Sequence, residues 1–255
     1  VSGRPILFID PHWPAEGQSS WWEFHVHVGR TQAGGFALPG LPFVGLGYTD
    51  GVAWAGTAGG ADSSDAFELR GNPENPDQYR YDGRWRDMEI REAVVRVKTA
   101  AGETEDRTIR IRESLHGPII LEQDGRVVAG AICGARDTTR LEQWLEMNRA
   151  QSAEELRSAL RMDQASLLNL TYATRDGHFG YIQAGMCPRR GSGPYNMIGL
   201  TDGTRSETNW QGRIPFDELP QLHDPETGWL QSCNTAANYV TEGQTIRQED
   251  FSPGV

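Results

Sequence analysis

Hydrophobic and polar positions along the chain change over in short runs, most of them with a period of two, and that pattern predicts a protein built mainly from β-strands. Val95 and Val97, then Ile109 and Ile111, alternate with charged residues and predict an antiparallel pair with one solvated face. Five Asp-Gly pairs punctuate the runs, at Asp50-Gly51, Asp82-Gly83, Asp124-Gly125, Asp176-Gly177 and Asp202-Gly203. Asp-Gly between strand-like runs is a strong hairpin signal, because both residues tolerate the positive φ that tight hairpin turns demand. Tyr79 to Met88, Ile119 to Ile132 and Leu170 to Ile182 each read as strand, turn, strand. Ile6-Leu7-Phe8-Ile9 predicts a buried strand, closed by Asp10-Pro11 because proline cannot continue a ladder. It delivers His12 to a rim.

The period lengthens to that of a helix in one region only. Leu141, Trp144 and Leu145 share one helical face, and Leu156, Ala159 and Leu160 share another, the second opening with Ser152 and Glu155 as a capping box. The two predict an antiparallel helical pair layered on a sheet. The expected fold class is therefore α+β, mostly antiparallel sheet with a helical pair, in a single domain over residues 1–255. Asn72-Pro73-Glu74-Asn75-Pro76 reads as a surface loop, as does the run containing Glu103, Glu105 and Asp106.

Composition narrows the functional classes. With 37% hydrophobic residues in 255, the chain can bury a sizeable core. Its formal charge of -11 opposes non-specific binding to nucleic acid or an anionic membrane, both of which need excess Lys and Arg. No apolar run approaches the roughly 18 residues of a membrane span, and no signal-peptide pattern opens the chain, so an export address would lie outside it. The three cysteines, Cys133, Cys187 and Cys233, are far apart without a CxxC pair, which indicates neither a zinc site nor a disulfide framework. His25 and His27 alternate along Trp22 to Val28 without a third ligand nearby and read as the polar face of a strand. His116, before Gly117-Pro118, reads as a turn residue.

Candidate chemistry concentrates in a glycine-rich stretch. Gly34 to Pro42 lacks the Lys-Ser or Lys-Thr of a phosphate loop. Val52-Ala53-Trp54-Ala55-Gly56-Thr57-Ala58-Gly59-Gly60 reads as an apolar strand ending in small residues, followed by Asp62 and Asp65. Small residues at a strand end let a ligand approach backbone N–H groups, as an oxyanion hole requires, although a tight glycine-rich turn would look the same.

Taken together, Asp10-Pro11-His12-Trp13, Pro39-Gly40-Leu41-Pro42, Gly51-Val52-Ala53-Trp54, Thr57-Ala58-Gly59 with Asp62 and Asp65, His116-Gly117-Pro118, Asp176-Gly177-His178-Phe179-Gly180-Tyr181, Ile214-Pro215-Phe216 and Cys233-Asn234 resemble the catalytic β chain of the penicillin acylase family of N-terminal nucleophile hydrolases. The motifs keep the family's order over essentially the whole chain. The resemblance implies a partial αββα sandwich and hydrolysis of a linear amide through an acyl-enzyme on a serine that autocatalytic cleavage of a zymogen makes N-terminal. Carried over by position, the Ala58 N–H and the Asn234 amide are the oxyanion donors, His12 contacts the nucleophile, and Trp13 and Leu46 line the acyl pocket. Asp62 and Asp65, with the carbonyl of Pro215, resemble ligands of a structural calcium, and no organic cofactor is implied. Expected partners are a small acyl amide, the α chain of the processed heterodimer and the rest of the β chain, in a periplasmic or secreted setting. The chain departs from the pattern at its start. Val1 precedes Ser2, denying it a free α-amine, and Gly3 follows where asparagine is expected, so this chain alone is expected to be inactive. Alternatives are an acyl-homoserine-lactone or lipopeptide acylase, which His12 favours, and a β-rich binding module that has lost its nucleophile.

Overall fold

A computed structural model describes every residue except 1–2, 13, 15, 60, 124, 165–167, 197, 244–245 and 248–255. Its elements run β1 (Trp22–Val28), β2 (Thr31–Ala37), β3 (Leu46–Tyr48), β4 (Val52–Ala58), β5 (Ser64–Asn72), β6 (Asn75–Tyr81), β7 (Arg84–Asp87), β8 (Glu89–Lys98), β9 (Thr104–Ser114), β10 (Gly117–Gln123) and β11 (Arg126–Ile132). After these come α1 (Arg140–Met147), α2 (Ala153–Leu160), β12 (Leu168–Thr174), β13 (Phe179–Gln183), β14 (Leu200–Asp202) and β15 (Gln221–His223). The chain divides into two compact units, one of residues 1–63, 134–187 and 213–255, the other of 64–133 and 188–212. The second interrupts the first twice in sequence, without the composition shift that would mark a linker.

The first unit holds a seven-stranded sheet in the order β1-β2-β3-β4-β12-β13-β15, with every neighbouring pair antiparallel. One face carries Trp54, Leu170, Tyr172 and Ile182, and against it pack Met147 of α1 with Leu156, Ala159 and Leu160 of α2. The helices are tied down by polar contacts as well. Asn148 accepts the Val44 N–H at 2.7 Å and donates to the Val44 carbonyl at 2.8 Å, while the Thr49 hydroxyl donates to the Ala150 carbonyl at 2.6 Å. Gly51 allows that approach, since a Cβ there would lie 1.9 Å from the Gln151 carbonyl oxygen. Ser152 caps α2 by accepting the Glu155 N–H at 3.2 Å, and the Glu155 carboxylate accepts the Gln151 N–H at 2.7 Å.

Two expectations fail in this unit. The buried face of α1 is Gln143 and Met147, with Trp144 half-buried, while Leu141 and Leu145 are exposed. A short helix on a sheet is oriented by its anchors at Val44 and Ala33–Trp54 rather than by its own apolar count. Ile6 to Ile9 is not a buried strand: it forms no ladder among the described residues, and Ile6 and Phe8 are 85% and 82% exposed. An apolar β-branched run becomes a strand only where a neighbour supplies its hydrogen bonds.

The second unit holds an eight-stranded sheet, β7-β6-β5-β11-β10-β9-β8, with β14 added parallel to β5. Its core is Phe67, Leu69, Tyr79, Met88, Val127, Ala129 and Ala131. Asp82 and Gly83 take φ of 46° and 76° between β6 and β7, the double positive φ expected of that dipeptide. β8 and β9 pair along ten registered positions, but Val94, Val95 and Ile109 are all exposed, so both faces of this ribbon meet solvent for much of its length. Glu105 and Asp106 are strand residues rather than loop, paired with Arg107 and Arg96. Cys133 and Cys187 are buried and Cys233 is exposed.

Leu156 is fully buried between α2 and the sheet, so Leu156→Ala should cost about 2–5 kcal/mol, read as a lower denaturant midpoint at constant m-value. A second outcome concerns pH. Asp163, just beyond α2 at φ +52°, has its carboxyl pushed up to about 6 because burial outweighs the attraction of Arg213. A folded pKa above the unfolded 3.8 means the protonated form is preferred in the native state, so stability is lost as pH rises from about 4 through 6. Asp163→Asn should therefore raise Tm at pH 7 and leave it unchanged near pH 4, in a thermal melt at each pH.

Candidate active site

The site is built at one end of the β4–β12 pair. β4 ends Gly56-Thr57-Ala58, and its register with β12 sets Thr57 opposite Asn169 and Ala58 opposite Leu168. Ala58 is exposed at the strand end, where the loss of large side chains leaves its backbone approachable. Leu46 of β3 is buried and packs onto the same strand: a Cβ on Gly56 would lie 3.2 Å from its Cδ2.

A loop from the C-terminal region meets this strand end. The Thr57 and Ser232 hydroxyls share a hydrogen bond of 2.7 Å, and the Asn169 side-chain amide donates to the Thr235 carbonyl at 2.9 Å. Between these two anchors, Asn234 sits at φ +59° with its side chain exposed. Asparagine is among the few residues other than glycine that adopt this conformation readily. Asn169 is itself held by the Tyr181 hydroxyl, which donates to its Oδ1 at 2.7 Å, and burial pushes the Tyr181 phenol well above its ordinary range, so it remains an O–H donor. Ala58 and Asn234, 176 positions apart in sequence, thus flank one hydrogen-bonded contact. The arrangement offers a backbone N–H and a carboxamide at a strand end, two neutral donors suited to a developing oxyanion.

A family model for penicillin amidase matches residues 1–254. The chain belongs to the penicillin amidase family. It is 27% identical over 277 residues to the acyl-homoserine lactone acylase PvdQ of Pseudomonas fluorescens, covering 99% of this chain and 35% of that protein. To penicillin G acylase of Escherichia coli it is 29% identical over 204 residues, covering 79% of this chain and 23% of the relative. Among solved structures, the thermostable penicillin G acylase from Alcaligenes faecalis superposes with a TM-score of 0.77 at 23% identity, over 93% of this chain and 41% of the other. The fold is that of an N-terminal nucleophile hydrolase, and this penicillin amidase family chain spans 23% to 41% of the length of these relatives.

His12 is exposed, and Trp13 lies outside the described residues. His25 and His27 do form an exposed face of β1, with His27 Nε2 2.9 Å from the Gln32 amide. His116 is a turn residue, but a half-buried one: it stacks on Phe67 at 4.1 Å, its Nε2 lies 3.0 Å from the Gly203 carbonyl, and desolvation holds its pKa below the ordinary value. The residues missed from sequence are Asn169 and Tyr181. Asn169 carried a readable signal, a lone carboxamide inside the run Leu167-Leu168-Asn169-Leu170.

The calcium donors do not fit a cation. Asp65 receives Arg190 Nε on Oδ2 at 3.0 Å and Nη2 on Oδ1 at 3.2 Å, and the Trp210 indole donates to Oδ2 at 2.6 Å. The ion pair is sealed, with side chains 4% and 3% exposed. The Pro215 carbonyl accepts the Glu218 N–H at 2.9 Å, Asp62 is half-buried, and no cluster of three or more His, Cys, Asp or Glu residues that could hold a metal occurs among the described residues. Asp65 is neutralised from within the chain. Arg190→Ala should therefore cost about 3–5 kcal/mol by stranding a buried carboxylate, whereas millimolar calcium or EDTA should leave the Tm of the unaltered protein unchanged.

Proposed function

We propose that the complete protein hydrolyses a linear amide between an acyl group and an amine, through an acyl-enzyme on an N-terminal serine supplied outside the described residues. The observation that supports this reading is the junction of β4 with the 231–235 loop, where Thr57 and Ser232 meet one residue from Ala58 and two from Asn234. In this scheme the serine Oγ attacks the acyl carbonyl while the serine's own α-amine takes the hydroxyl proton. The carbonyl oxygen becomes an oxyanion and accepts from the Ala58 N–H and Asn234 Nδ2. Collapse of the tetrahedral species breaks the C–N bond, the amine leaves with the transferred proton, and water then releases the acid by the same route in reverse.

His12 orients the serine, and Leu46 with Trp13 forms part of the acyl wall, which favours a hydrophobic acyl group. Assembly involves the α chain of the processed heterodimer and the rest of the β chain, consistent with relatives of which this chain spans 35% and 23%. A second reading, an acyl-homoserine-lactone or lipopeptide acylase, is favoured by the similarity to PvdQ acylases over 99% of the chain against 79% for penicillin G acylase.

The test is hydrolysis by the complete processed enzyme of phenylacetyl, glutaryl and medium-chain fatty acyl anilides beside an acyl-homoserine lactone. Turnover of at least one amide is expected, and Asn234→Ala should lower kcat about 10²- to 10³-fold. An unreactive complete enzyme with its serine exposed would favour the binding module instead.

A further inference from the structure

We propose that Asn169 is a positioning residue for Asn234, fixing the side-chain half of the oxyanion hole from the buried sheet; this rests on the oxyanion reading above. Asn169 is 1% exposed near the start of β12, between Leu168 and Leu170. A carboxamide there costs stability unless both ends are satisfied, and both are. A carbonyl can only accept, so the atom facing the Thr235 oxygen must be Nδ2, which leaves Oδ1 for the Tyr181 hydroxyl. The orientation of the amide is therefore fixed without reference to any substrate. Tyr181 is fully buried, so the chain of contacts Tyr181–Asn169–Thr235 runs from the rigid core of the sheet to the residue that follows Asn234.

Two residues before Asn234, Ser232 is held on Thr57, and Thr57 is the ladder partner of Asn169. One rung of the β4–β12 ladder therefore holds the loop on both sides of Asn234, whose φ of +59° is maintained between these anchors. The same rung adjoins Ala58. Preorganised donors are effective because they need not reorganise as charge develops, and a loop carries such a donor only when its neighbours are fixed.

The experiment is a double-mutant cycle in the complete processed enzyme, using Asn234→Ala, Asn169→Ala and their combination, with kcat and KM measured on whichever acyl anilide the native enzyme turns over. Asn169→Ala should lower kcat by about tenfold or more with KM changed by less than about twofold, and in the Asn234→Ala background it should cost less than about twofold further. Tyr181→Phe, which removes the hydroxyl that donates to Asn169 Oδ1, and the near-isosteric Asn169→Asp, which replaces the amide donor to the Thr235 carbonyl, should show the same loss of effect in that background and carry the test if Asn169→Ala does not fold. An equal loss in both backgrounds would make Asn169 a structural residue and overturn the inference. Full activity in the Asn169 variants beside an impaired Asn234→Ala would overturn the inference while leaving the oxyanion reading intact. Full activity in Asn234→Ala would remove both.

Discussion

The pairing of β4 with β12 is the constraint on which the first unit depends. Seven registered pairs, from Leu168 opposite Ala58 to Thr174 opposite Val52, place these strands at the centre of the sheet. The register puts Trp54 and Tyr172 on the face that the helices cover, and it puts Thr57 and Asn169 side by side at the strand end. A slip of one residue would turn every side chain to the opposite face. It would turn Trp54 away from the helices and Asn169 away from Thr235, so the hydrophobic core and the candidate site are specified by one interaction.

Charge is handled in two ways. At the strand end the proposed donors are neutral, a backbone N–H and a carboxamide, and cost little to desolvate. Asp65, in contrast, is a sealed carboxylate with a guanidinium and an indole N–H on its oxygens. Removing either member of that pair leaves an uncompensated buried charge, whereas the pair as a whole contributes less than its Coulomb attraction suggests, because both charges were taken out of water. A side chain can therefore perform locally the neutralisation that a bound cation would otherwise supply.

Much of the fold was legible in the sequence because its turns are local. Asp82-Gly83 and Asp176-Gly177 each sit between strands where expected, and the α2 cap at Ser152 needs only its own neighbours. The N-terminal run Ile6 to Ile9 misled because strand formation depends on a partner, which composition does not encode. The α1 face misled because Asn148 and Met147, rather than Leu141 and Leu145, meet the sheet. Of the candidate site, Ala58 and Asn234 are proposed from a family resemblance, and Leu46 falls beside the same strand. Asn169 was visible as an anomaly in an apolar run, but its role required the contact with Thr235, 66 positions away. Arg190 was invisible as the partner of Asp65 for the same reason, at 125 positions.

Ala58 and Asn234 are proposed to form one oxyanion hole at the end of the β4–β12 pair. The most direct test is a crystal structure of the complete enzyme with its N-terminal serine trapped as a phosphonate adduct. The account predicts one phosphonyl oxygen within about 2.7–3.1 Å of both the Ala58 nitrogen and Asn234 Nδ2. A phosphonyl oxygen bound by other donors, with Asn234 turned to solvent, would contradict it.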